Sequence, residues 1–183
     1  MSDAELIERY KLGNEGAFEE LLERYKLPLF SYILKMVRNK TVAEDIFQEV
    51  WFQIIKLLPR YNEQNKFSAL LFKIAYSKVI DYVRKNHRIL QHRSERILQR
   101  RSEVISRSQS DIEKGIEKEE LLSLLNKAAM ELPPKQKEVF LLRQHSGLAF
   151  KEIAGMLGCP LNTVLARMHN GVLNLRKSLK EVK

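Results

Sequence analysis

One cysteine, Cys159, stands in 183 residues. No disulfide can form within the chain, and such sparing use fits a reducing compartment. Glycine and proline are scarce, at 7 and 5 residues, and the apolar positions recur with a period near 3.6, which argues for helices throughout. Long apolar runs are missing too, each being interrupted by Lys, Glu or Arg, so no bilayer span and no direct membrane insertion is expected. The opening MSDAELIERY has no basic segment followed by an apolar one, so no secretory leader is expected and the chain reads as cytoplasmic. His87, His92, His145 and His169 form neither an HExxH nor a Cys–His metal pattern. A Gly-rich phosphate loop and a nucleophile elbow are also lacking. An enzyme is therefore not expected, and neither is a metal or cofactor.

What is present is positive charge, +9 overall, and it is unevenly placed. Residues 84–110 hold 8 Lys/Arg against 2 acids, and residues 132–183 hold 9 against 3. Residues 1–60 and 111–131 are by contrast slightly acidic. Two separate basic blocks point to two contacts with a phosphate backbone. A solvated tether and a basic surface are the plainer alternative.

A short helix is expected from Asp3 to Leu12, closed by Gly13, and Asn14 can cap a longer one in which Phe18, Leu21, Leu22 and Tyr25 form an apolar stripe. Pro28 should end or kink that helix, with a second piece running to about Arg38. Thr41 and Glu44 have capping-box spacing for "VAEDIFQEVWFQIIKLL", which stops at Pro59. After the polar loop "RYNEQNK", Ser68 is placed to cap "ALLFKIAYSKVIDYVRKNHR". The apolar pattern then thins, and an Arg-, Ser- and Gln-rich stretch reads as linker. Four more helices are expected after it, with Gly147 and Gly158 just past two of their ends. The chain is expected to be all-α: two small helical domains, residues 1–87 and 118–183, joined by a flexible basic linker over residues 88–117.

The segment "FKEIAGMLGCPLNTVLARMHNGVLNLRK" reads as a helix-turn-helix. Phe150, Ile153, Ala154 and Leu157 share one face, Gly158 permits a sharp turn, and Asn162 or Thr163 caps the second helix. Val164, Met168, Val172 and Leu175 then face inward. Thr163, Ala166, Arg167, Asn170 and Asn174 face outward, as short or hydrogen-bonding side chains suited to base edges and phosphates. A plain helical hairpin has a similar pattern.

Two further faces carry chemistry. In "VAEDIFQEVWFQIIKLL", Phe47, Val50, Trp51, Ile54, Ile55 and Leu58 form a broad core face. Opposite them lie Asp45, Gln48, Glu49 and Phe52. Acids there repel DNA, so the stripe either meets a protein or is simply solvated. In the next helix Lys73, Tyr76, Ser77, Asp81, Arg84 and Lys85 lie away from the Leu71, Ile74, Ala75 and Val79 stripe. Cations mixed with an aromatic and small polar groups fit unstacked, single-stranded DNA, or an ordinary solvated surface.

The order of these parts resembles the extracytoplasmic-function sigma factors, the two-domain promoter-recognition subunits of bacterial RNA polymerase. The matching segments are "AEDIFQEVWFQII", "FSALLFKIAYSKVIDYVRK", "LPPKQKEVFLLRQHSGLAFKEIAGMLG" and "PLNTVLARMHNGVLNLRK", over residues 14–87 and 118–179. By that resemblance, Asp45, Gln48, Glu49 and Phe52 dock on the clamp helices of the largest polymerase subunit. Asn62, Asn65, Lys66, Lys73, Tyr76, Ser77, Arg84 and Lys85 hold the melted −10 strand. Lys151, Asn162, Thr163, Ala166, Arg167 and Asn170 read the −35 duplex. The linker runs toward the active-site and RNA-exit channels, and the flap of the second-largest subunit and an anti-sigma factor are further implied partners. A linker of roughly 30 residues reaches at most about 100 Å, enough for two sites a couple of helical turns apart at about 34 Å per turn. The chain departs from the family at Leu70, where Trp is usual, at Ser77, where Asn is usual, at Leu165-Ala166, where Lys-Ser is common, and at Asn170, where Arg is common. The usual −35 preference is therefore not expected to transfer.

Two other functions compete. A stand-alone helix-turn-helix repressor usually dimerises on two half-sites, but no dimer interface is visible here and the acidic stripe is left unused. An interaction module with no DNA role leaves both basic blocks unexplained.

Overall fold

The computed structural model describes residues 1–62, 66–97 and 118–181, and the side chains of 1–62, 66–86 and 124–180 within them. Among the described residues there are eight α-helices and one 3-10 turn, and no strand. The all-α expectation holds.

Helix α1 (Asp3–Lys11) starts from a capping box that the sequence reading missed. Ser2 Oγ accepts from the Glu5 amide at 3.3 Å, and the Ser2 amide donates to Glu5 Oε2 at 2.7 Å. Its buried residues, Leu6 and Ile7, face α2 (Glu15–Val37). Asn14 caps α2 as expected, accepting from the Ala17 amide at 3.2 Å. Pro28 neither ends nor splits α2. An interior proline costs about 3 kcal/mol. Leu21 lies fully buried before it and Leu29, Tyr32 and Ile33 after it, and each such side chain contributes about 1.5–3 kcal/mol. Packing therefore outweighs the missing hydrogen bond. Arg38, in the left-handed region at φ 56°, terminates α2 and returns its amide to the Leu34 carbonyl at 2.8 Å.

Helix α3 (Lys40–Leu57) begins two residues earlier than the Thr41–Glu44 pattern implied. Its cap is Asn39, extended at φ −140° and ψ 121°, whose Oδ1 accepts from the Val42 amide at 3.1 Å. Thr41 lies inside the first turn. A 3-10 turn, Leu58–Arg60, closes the helix at Pro59. Val50, Trp51, Ile54 and Leu58 are buried as expected, but Ile55 is exposed, because it lies at the edge of the apolar face. Edge-on rings bind α2 to α3: Phe18 on Trp51 at 5.7 Å and Phe30 on Phe47 at 5.8 Å.

Helix α4 (Phe67–Ile97) starts at a buried Phe67, so Ser68 is not its cap. Ser68 Oγ donates to the Ser146 carbonyl at 2.9 Å instead. The helix continues into the stretch expected as linker, and residues 98–117 lie outside the described residues.

Four helices follow: α5 (Lys118–Met130), α6 (Pro134–Ser146), α7 (Phe150–Leu157) and α8 (Leu161–Glu181). Gly147 and Gly158, at φ 68° and 62°, end α6 and α7 in the left-handed conformation that glycine adopts without strain. The turn Gly158–Pro160 carries the chain directly into α8. Neither Asn162 nor Thr163 caps α8, which begins at Leu161. The Pro160 carbonyl takes the Thr163 and Val164 amides at 3.0 and 3.3 Å.

The two helical regions pack against each other. Helix α6 lies on α2 and α4. Its fully buried Val139, Leu141 and Leu142 join one continuous core with Tyr32, Ile33 and Phe72. The polar cost of this seam falls on a few groups described below.

The observed α3 cap gives a direct test. Asn39→Ala is expected to cost about 1 kcal/mol, lowering the melting temperature by about 2–4 °C. Thr41→Ala is expected to stay within about 0.5 kcal/mol. Thermal melts showing the reverse order would restore Thr41 as the cap.

Candidate polymerase and promoter interfaces

Packing of α3 against α2 and α4 through Val50, Trp51 and Ile54 turns its opposite side outward. Asp45, Gln48, Glu49 and Phe52 are all exposed on that side, Phe52 to 62%. Lys56 Nζ lies 4.2 Å from the Phe52 ring centroid. Glu49 Oε2 is already engaged, 2.7 Å from Lys78 Nζ on α4. Glu49 is exposed and Lys78 half-exposed, so solvent screens this pair and it is worth at most about 1 kcal/mol. An acidic stripe around an exposed aromatic ring suits docking to a protein with basic side chains.

On α4, Lys73, Ser77 and Arg84 fall on one helix face by their spacing and are exposed. Lys85 and Asp81 are exposed nearby, as are Asn62 and Lys66 at the head of the helix. Asn65 lies outside the described residues. Tyr76 is different. It is half-buried, and its hydroxyl donates to Glu138 Oε1 on α6 at 2.9 Å. Burial first, and the Glu138 carboxylate second, push the Tyr76 phenol up to about 12. The aromatic group expected to stack on bases is thus turned into the seam.

The seam has a polar centre. Glu138 is 4% exposed. Its Oε2 accepts no hydrogen bond, although Lys135 Nζ approaches to 3.5 Å as an ion pair. Tyr32, fully buried on α2, has its hydroxyl unpartnered, and burial followed by the Glu138 charge raises its pKa. At the rim, Arg38 donates to the Met130 carbonyl at 2.5 Å, and Lys35 donates to Asn126 Oδ1 at 2.8 Å. Lys35 Nζ also sits 3.3 Å from His145 Nε2.

In the helix-turn-helix, Ile153, Ala154, Val164 and Leu175 are buried and Phe150, Leu157, Met168 and Val172 half-buried, as the face analysis required. Lys151, Asn162, Ala166 and Asn170 are exposed. Thr163 and Arg167 are only half-exposed. They lie on the flank, with Arg167 Nη1 3.7 Å from Cys159 Sγ. Asn174 is exposed as expected, and its amide donates to Gln136 Oε1 on α6 at 2.8 Å. Leu161, Leu165 and His169, all exposed on α8, were not placed on the outward face by the sequence. The 3.6 period from Asn162 through Ala166 leads to His169, so that signal was present.

No group of three or more His, Cys, Asp or Glu among the described residues could hold a metal. None of their helices is long and apolar enough to cross a membrane.

An acid-and-aromatic face on α3, a cationic face on α4 and a helix-turn-helix in α7–α8 define a promoter-recognition subunit. The family descriptions agree: sigma-70 region 2 matches residues 21–89, and sigma-70 region 4 matches residues 122–175. The chain belongs to the extracytoplasmic-function sigma factors of bacterial RNA polymerase. It is 28% identical to the ECF RNA polymerase sigma factor SigW of Bacillus subtilis, over 96% of each chain. To the ECF RNA polymerase sigma-E factor of Escherichia coli K12 it is 26% identical, over 92% of this chain and 89% of that one. Among solved structures, the fold is similar to the sigma factor RpoE bound to the anti-sigma factor NepR from Bartonella quintana. That TM-score is 0.71 at 21% identity, covering 89% of this chain and 96% of the other. CnrH, solved with the cytosolic domain of CnrY, gives 0.66 at 20% identity over 99% of each.

The seam yields a pH prediction. Burial first, and the Lys35 charge second, hold His145 at about 4 instead of 6.5. At 3.3 Å the Lys35 ammonium donates to a neutral ring, and protonating that ring places two cations together. A base with a depressed pKa stabilises the packed form fully above its free value and loses that contribution as pH falls. The seam should therefore be tightest above pH 6.5 and weaken progressively toward pH 4. Small-angle scattering should show the radius of gyration growing between those limits in the wild type and much less in His145→Gln. Equal growth in both proteins would remove His145 from the linkage.

Proposed function

We propose that each surface has one task in promoter recognition. The α3 face, with Asp45, Gln48, Glu49 and Phe52, docks on the clamp helices of the largest polymerase subunit. The α4 face, with Asn62, Asn65, Lys66, Lys73, Tyr76, Ser77, Arg84 and Lys85, captures the melted −10 strand. The α7–α8 pair, with Lys151, Asn162, Thr163, Ala166, Arg167 and Asn170, reads the −35 element as duplex. Residues 1–87 and 118–183 then act as two domains, with residues 88–117 linking them.

The observation that carries this reading is the separation of charge by helix. The acids and the exposed ring share one side of α3, while Lys73 and Arg84 share one side of α4. Anionic DNA is repelled by the first and attracted by the second. Because Tyr76 is bonded to Glu138, stacking it on a base requires α6 to leave α4, so −10 capture is linked to opening of the seam. The flap of the second-largest subunit is the partner of the C-terminal helices, where an apolar groove lined by Leu124, Ala128, Met130 and Leu179 lies between α5 and α8. An anti-sigma factor is the expected regulator, by analogy with the two solved complexes. The work involves binding and strand separation with no enzymatic step, in the cytoplasm where polymerase and chromosome meet.

The triple change Asp45→Ala, Gln48→Ala, Glu49→Ala is expected to abolish pull-down by core polymerase while circular dichroism stays unchanged. Retained wild-type association would refute the docking face. Arg167→Ala is expected to weaken −35 duplex binding by about 1–3 kcal/mol if the contact is bidentate. Unchanged affinity at fixed salt would take Arg167 out of base reading.

A further inference from the structure

We propose that α8 selects thymine by its 5-methyl group, through Leu161 and Leu165. The proposal rests on α7–α8 being the −35 duplex reader and deepens that reading.

Helix α8 buries Val164, Gly171 and Leu175, so its opposite face is open. Going round that face come Asn162, Leu165, Ala166, His169, Asn170 and Leu173, all exposed. Leu161 and Leu165 are each 41% exposed. They stand four residues apart, hence on adjacent turns of the same side. Both lie in the N-terminal half of the helix, the half that meets base edges in a helix-turn-helix. Leucine on a recognition surface neither donates nor accepts a hydrogen bond. The surrounding charge nevertheless favours DNA over an apolar protein partner, since Lys151, Arg176 and Lys177 are exposed on the same two helices.

One apolar group projects into the major groove, the thymine methyl. Guanine presents two acceptors and cytosine an amino donor. A leucine pressed against either strips water from groups it cannot satisfy, which disfavours G·C. Against thymine it buries methyl on methyl. Exposed Ala166 is too short to keep the helix away from the groove floor. Asn162 and Asn170 extend the preference, because an asparagine amide pairs with adenine N6 and N7. Four residues of helix rise about 6 Å, close to two base-pair steps of about 3.4 Å. The two leucines therefore address thymines about two steps apart within an A·T-biased element.

Uracil pairs as thymine does and lacks only the methyl, so exchanging one for the other isolates the contact. The full chain bound to core polymerase would be selected against two random duplex pools, made with thymidine or deoxyuridine triphosphate. The thymine pool is expected to yield an element with two thymines about two steps apart. Replacing either by uracil should lower affinity about fourfold, the value of one buried methyl-sized group. In Leu165→Ala the thymine–uracil difference should vanish at one position and persist at the other, with Leu161→Ala giving the converse. Leu165→Arg should move the preference at its position to guanine. Equal binding of thymine and uracil at every position overturns the proposal, as does a difference that survives both alanine variants. Loss of polymerase association in Leu165→Ala, with thymine and uracil bound alike, assigns the leucines to a protein contact and overturns it as well. If neither pool enriches any sequence upstream of the −10 region, the −35 reading itself fails and the methyl contact with it.

Discussion

Helix α2 is the member on which the rest of the molecule leans. Helices α1, α3, α4 and α6 all pack on it, none of its residues from Pro28 to Val37 is exposed, and Leu29, Tyr32 and Ile33 are shut off from water completely. That confinement explains how a helix with a proline in its middle stays continuous. It also determines which sides of α3 and α4 remain outside. Because their apolar faces are used on α2 and on one another, the acids of one and the cations of the other are left exposed.

This arrangement keeps opposite charges on one small body without mutual cancellation. At physiological salt an exposed charge is felt over about 8 Å, so the α3 acids and the distal α4 cations act largely on their own neighbourhoods. Glu49 and Lys78 are the local exception, meeting at 2.7 Å across the two helices. Their pairing offsets part of the negative charge of the acidic face. In the C-terminal half the buried Glu138 is the carboxylate set into the seam, while Glu131 and Glu152 are exposed.

Periodicity alone located the helices, since burial imposes it directly, and the helix-turn-helix faces emerged with Ile153, Ala154, Val164 and Leu175 as core. Local chemistry was less legible. Thr41 and Glu44 have the right spacing for a cap, but Asn39 stands two residues earlier with an equally good acceptor, and only the backbone path of α2 into α3 decides between them. The reading of Tyr76 as an exposed stacking group failed to anticipate its bond to Glu138. That bond depends on α6 folding back across a distance in sequence of 62 residues, which no local pattern encodes. Nothing in the neighbourhood of Val139 and Leu142 says that they join a core shared with the other half. On α8 the outward arc was judged a little off centre, so the half-exposed Thr163 and Arg167 were placed on it and the exposed Leu161, Leu165 and His169 were not.

The seam between the halves holds a carboxylate and two phenols among apolar side chains, with the Arg38 and Lys35 hydrogen bonds at its rim. A wholly greasy joint is costly to part and leaves both faces prone to aggregation. Here separation returns Glu138 to water and frees the Tyr32 hydroxyl from its unpartnered state, so rehydration offsets part of the lost apolar contact. A buried acid in the joint thus makes the contact cheaper to undo than an all-apolar one of the same size.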